Sequence, residues 1–66
     1  TLADLLPLAG VLRNLLSPGG FLVVSGILES QAKELIRACV LRKLTFHCFY
    51  LEEEWAGVLF SREPGV

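Results

Sequence analysis

Ser17–Leu28 reads SPGGFLVVSGIL. A Pro-Gly-Gly turn runs straight into a strand with no polar face, and Gly26 then releases the chain toward a new helix. Strand side chains alternate, so Phe21, Val23 and Ser25 point one way while Leu22 and Val24 point the other. A strand that is apolar on both faces suits the interior of a sheet covered on both sides, the habit of parallel α/β sheets. A chain of 66 residues can barely build one such cover. The expectation is therefore a piece of a larger α/β protein.

Upstream of the turn, Leu5, Leu8, Ala9, Leu12 and Leu16 fall at helical spacing, which predicts a helix over Leu2–Leu16. Pro7 allows two solutions: the helix begins near Leu6 with Pro7 in its first turn, or an earlier turn is kinked there. Pro18 and the two glycines end it. Downstream, the strand Phe21–Ile27 leads into a second helix from Glu29 or Ser30 to about Arg42. Ala32, Leu35, Ile36, Cys39 and Val40 supply its apolar stripe. Leu44–Leu51 and Trp55–Ser61 are β-rich, and Glu52-Glu53-Glu54 joins them as a hairpin. The order is α-β-α-β-β. A strand, a crossover helix and a strand make a right-handed parallel unit, and the hairpin sends the last strand back antiparallel. The fold class expected is α/β: a small mixed three-stranded sheet with two helices on one face. Residues 1–62 form this domain and residues 63–66 a tail.

The composition agrees with an incomplete domain. A chain this short buries only ~60% of the surface its unfolded form exposes. Yet 53% of its residues are hydrophobic, a surplus that suggests surface meant for another segment or a second subunit. Six Lys/Arg against seven Asp/Glu give a net charge of −1 and no basic stripe, which argues against direct nucleic-acid binding. Arg13, Asn14 and Glu29 interrupt every apolar run before it could span a membrane. Thr1-Leu2-Ala3-Asp4 carries no basic leader, so no secretory signal is expected. Cys39 and Cys48 read as buried, reduced thiols of a cytoplasmic protein.

Three segments carry a resemblance: LLPLAGVLRNLLSPGG at Leu5–Gly20, LVVSGILESQA at Leu22–Ala32, and LEEEWAGVLFSR at Leu51–Arg62. Together they resemble the C-terminal portion of a class I S-adenosylmethionine-dependent methyltransferase, closest to the PrmA-type ribosomal protein methyltransferases. PGG before a strand is common to many methyltransferases; SGIL followed by QA, with EW downstream, is more specific. The resemblance implies the C-terminal half of a Rossmann-like fold, whose final antiparallel strand is inserted between the previous two. It also implies a parent enzyme that uses S-adenosylmethionine to methylate lysine amino groups of a ribosomal protein. Two features depart from that family. Arg42-Lys43-Leu44 stands where the family usually has a Gly-Phe turn. The Gly-rich cofactor loop, the acidic ribose ligand and the Asn-rich motif, which lie upstream in the family, are not found in Thr1–Val66. The chain alone is thus expected to bind no cofactor and to be inactive, with no residue assigned to catalysis or cofactor binding. It is expected to self-associate or to pair with the upstream half of the same domain.

In an open α/β sheet, ligands sit beyond the carboxyl ends of the parallel strands. Here that edge is Ser25, Gly26, Ile27 and Leu28, with Glu54 and Trp55 of the hairpin, which places a substrate-entrance rim at these six residues. Purely structural roles for Gly26 (a strand exit) and Trp55 (packing) compete with that reading. The three glutamates read as a solvated hairpin tip rather than a metal site, since neighbouring residues point different ways. A tip of that charge could also steer a basic substrate weakly. His47 and Cys48, adjacent on a strand, should lie on opposite faces, which gives neither a zinc site nor a Cys–His pair with Cys39.

Overall fold

The computed structural model describes residues 1–65. The helix α1 spans Leu2–Leu15, the strand β1 Phe21–Leu28, the helix α2 Glu29–Leu41, and the strands β2 and β3 Leu44–Glu52 and Trp55–Arg62. Val66, the last residue of the expected tail, lies outside the described residues.

The helix α1 starts at Thr1, whose hydroxyl donates to Asp4 Oδ2 at 2.8 Å and accepts from the Asp4 amide at 3.4 Å. The Thr1 hydroxyl holds the Asp4 carboxyl below its usual pKa. Of the two solutions for Pro7, the helix adopts a start before the proline, with Pro7 in its interior. The missing proline N–H leaves the carbonyl of exposed Ala3 to water. At the other end, Arg62 Nη1 donates to the carbonyls of Leu16 at 2.7 Å and Arg13 at 3.3 Å. The link to β1 is a Ser17–Gly20 turn with Pro18 second and Gly19 third at φ 80°, closed by the Gly20 amide on the Ser17 carbonyl at 2.8 Å. Proline at that place and glycine at positive φ are what a type II turn requires.

The sheet order is β1-β3-β2, and both outer strands pair antiparallel with β3. This corrects the expected mixed sheet. β1 and β2 run in the same direction, but β3 separates them, so no parallel pairing forms. It also places β1 at an edge rather than in the interior. The central place falls to β3, whose Ala56, Val58 and Phe60 are buried.

A bulge sets the two faces of β1. Ser25 pairs with Gly57 and Ile27 with Ala56, which leaves Gly26 extra, at φ 72°. Gly26 is therefore not the exit from the strand: β1 continues through Leu28. The extra residue returns Ile27 to the face of Leu22 and Val24, against the helices, while Phe21, Val23 and Ser25 face outward as alternation predicts. A second bulge lies between Phe46 and Cys48 and interrupts the alternation at His47.

The helix α2 crosses the inner face against all three strands, and Ala32, Leu35, Ala38 and Cys39 are its buried residues. The second helix of the expected pair behaves differently. α1 packs chiefly on α2, through Ala9, and of its predicted stripe Leu8 remains 48% exposed. A gap of about 240 Å³ between Leu8 and Leu12 of α1, Val24 and Ile27 of β1, and Leu35 explains this: the helix does not close down on the sheet.

The helix α2 ends at Leu41, one residue before the expected end, and Lys43 follows at φ 69° with its amide on the Val40 carbonyl at 3.0 Å. This left-handed residue is the one that helix ends usually give to glycine. Lys43→Gly is therefore expected to raise stability by about 1 kcal/mol, read as a higher urea midpoint with unchanged m. A lower midpoint would mean that the lysine side chain outweighs its backbone strain.

Candidate functional site

The six rim residues come together at one end of the sheet. Leu28 pairs with Trp55, Ile27 with Ala56 and Ser25 with Gly57, and the Glu29 amide donates to the Glu54 carbonyl at 3.2 Å. Local sequence fixes this junction. The Leu28 amide donates to Gln31 Oε1 at 2.9 Å, so the glutamine of the ESQA segment caps the start of α2 against the strand that precedes it. The turn opposite is a two-residue loop in which Glu53, but not Glu54, has positive φ, at 58°. That is the II′ pattern, which matches the twist of the hairpin strands.

The rim is open. Ser25, Gly26, Leu28, Glu54 and Trp55 are all exposed, Trp55 by 49%, and Ile27 alone reaches a cavity, the apolar gap beneath α1. Among the described residues no buried polar side chain lines it. Among the described residues no group of three His, Cys, Asp or Glu stands close enough to hold a metal ion.

His47 and Cys48 do not occupy opposite faces. The bulge turns His47 to the outer face, where its Nε2 lies 2.6 Å from Ser61 Oγ and its ring 5.9 Å from that of Phe21. Cys48 pairs with Leu59 on the same face. Alternation alone gave no sign of the bulge. A His–Ser contact can activate a hydroxyl when a third group orients the imidazole; here the pair is solvent-accessible, and among the described residues no carboxylate is hydrogen-bonded to His47.

The two thiols also separate. Cys39 is buried, while Cys48 is exposed, contrary to the expected buried pair. Burial pushes the Cys39 thiol up to about 11. Alkylation of the native chain should therefore stop at one thiol, Cys48, by mass spectrometry. Between pH 9 and 11 the unfolded thiol ionises and the native one does not, so stability should fall as pH rises, by about 1 kcal/mol at pH 10. Equal alkylation of both thiols would show that Cys39 is not enclosed.

Sequence reading also missed a groove of about 520 Å³ at the far end of the molecule. It lies between α1 and the α2–β2 junction, and its basic rim is Arg13, Arg42 and Lys43. The cations are 29 residues apart in sequence, so no local motif announces them.

No protein-family model matches the chain, and no curated protein matches it significantly. Among the described residues, no helix is long and apolar enough to cross a membrane.

Proposed function

We propose that this chain is the C-terminal part of a class I S-adenosylmethionine-dependent methyltransferase domain. In this reading the whole domain is a cytoplasmic protein-lysine methyltransferase acting on a ribosomal protein, and Thr1–Val66 is inactive alone. One observation carries the reading. β1 and β2 run the same way through the α2 crossover, and β3 returns antiparallel between them, the arrangement with which that fold ends. The sequence resemblance at Leu22–Ala32 and Leu51–Arg62 supports the choice of family. The missing cofactor loop would come from an upstream segment paired along the free edge of β1.

Methyl transfer asks the protein mainly for orientation and exclusion of water, while the cofactor supplies the reactive methyl group. The role left to this half is to border the substrate entrance with Ser25, Gly26, Ile27, Leu28, Glu54 and Trp55. The test is calorimetric titration with S-adenosylmethionine, of the chain alone and of the chain co-expressed with the segment encoded in frame upstream. The reading predicts no heat from the first and saturable binding from the second. An upstream frame without a Gly-rich loop, or a co-expressed pair that does not bind, would end it.

A second reading takes the chain as an interaction module without catalysis. Its support is the outer face of β1, where Phe21 and Val23 are 65% and 62% exposed beside a strand edge that carries no charge. A natural start codon near Thr1 and no cofactor-binding partner would favour it.

A further inference from the structure

The two non-glycine residues with positive φ in the described chain are Lys43 and Glu53. They carry opposite charges and bracket β2, whose nine residues extend about 30 Å. Both positions would be less strained as glycine, yet each holds a charged side chain at one end of the molecule. The Lys43 end is basic. Arg13, Arg42 and Lys43 line the groove with no carboxylate among its lining residues, and none of the three forms an ion pair among the described residues. Arg13 Nε is buried there without a hydrogen-bond partner. Leu6, Pro7, Val11 and Leu41 give the groove an apolar wall. The Glu53 end is acidic. Glu52, Glu53 and Glu54 are exposed and unpaired among the described residues, and half-exposed Leu51 and Trp55 flank them.

An apolar-walled basic groove matches an acidic tip with apolar shoulders in both charge and polarity. The length of β2 prevents the tip from reaching the groove of its own chain. We propose that the acidic turn of one copy seats in the Arg13–Arg42–Lys43 groove of the next, head to tail. Different surfaces meet at such a joint, so it repeats from copy to copy rather than closing as a two-fold dimer. The joint is small and charged, which makes it weak and sensitive to salt.

Sedimentation velocity over a concentration series tests this. Wild-type chain at ~0.02 M NaCl should form a growing series of species, and ~0.5 M NaCl should weaken that association about tenfold or more. Lys43→Gly with Arg42→Gln disables the groove, and Glu53→Gly with Glu54→Gln disables the tip. The glycines relieve backbone strain, and thermal melts of both variants verify the fold. Each variant alone should stay monomeric at low salt. Mixed in equal amounts they should form one-to-one pairs and nothing larger, since only one intact tip and one intact groove remain. Association that ignores salt, persists in either folded variant, or fails to reappear on mixing would overturn the proposal. The first two of these outcomes are also what pairing through the uncharged edge of β1 would give.

Discussion

Phe60→Ala is expected to leave the chain without a cooperative folded state at room temperature. Phe60 lies in the central strand, is fully buried, and stands in register with Leu22 on one side and Phe46 on the other. Its ring meets that of Phe46 edge to face, with centroids 6.3 Å apart and an angle of 66°. Truncating a buried phenylalanine costs about 3–5 kcal/mol, because transfer free energy is lost and a cavity remains. A single core in a chain below ~70–80 residues rarely supplies more than about 3–5 kcal/mol in total. Most of the other buried side chains are small: Ala9, Ala32, Ala38, Ala56 and Cys39. None of them can move far enough to fill the space of a phenyl ring. Phe49→Ala is the control, since Phe49 is 40% exposed on the edge strand, and its loss should cost about 1 kcal/mol. Far-UV circular dichroism with a urea titration compares the two. A cooperative transition in Phe60→Ala, at nearly the wild-type midpoint, would mean that the core is not centred on β3.

The elements of this fold were legible wherever the signal was local. Pro18 and Gly19 marked the turn, the stripe through Ala32, Leu35 and Cys39 marked α2, and Glu52-Glu53-Glu54 marked the hairpin. What was lost lay in the third dimension. The apolar character of β1 on both faces predicts burial in the middle of a sheet, but the strand is an edge whose outer face is bare. Alternation fails at His47-Cys48 because one extra residue shifts a strand's phase; the bulge at Gly26 does have a signal, a lone glycine within a strand, which reads equally as the strand's exit. Burial of α1 was overestimated for a different reason: periodicity says which face is apolar, not whether another element reaches it. That Ser25–Leu28 and Glu54–Trp55 meet at one end of the sheet was legible because strand ends and a hairpin turn are sequence-adjacent to their markers. The basic groove was not, since packing of α1 on α2 assembles it.

Gly26→Val should cost about 2–3 kcal/mol without any steric clash. A Cβ built on Gly26 meets nothing within 4 Å, but φ there is 72°, so the cost lies in the backbone. The left-handed region costs an ordinary L-residue about 1–2 kcal/mol, and a β-branched one more. The chain has one escape, which is to drop the bulge. Dropping it would turn Ile27 to the outer face and unpair Leu28 from Trp55, forfeiting about 1.5–3 kcal/mol of apolar burial as well as the cap on α2. Strain and slippage are thus close in cost, and Val should lose stability and loosen the rim together. Gly26→Asn, which tolerates positive φ, should lose less than about 1 kcal/mol. A chemically synthesised chain with D-alanine at position 26 should gain, because its preferred φ is positive and it restricts the unfolded chain. Gly10 makes the contrast: it sits inside α1 with open space around it and no positive φ, so Gly10→Ala should gain about 1 kcal/mol from helix propensity alone. Urea midpoints for the four variants, ordered D-alanine above wild type, then Asn, then Val, with Gly10→Ala raised, would establish the bulge. Equal midpoints for Val and Asn at position 26 would place the end of β1 before Gly26 and dissolve the rim.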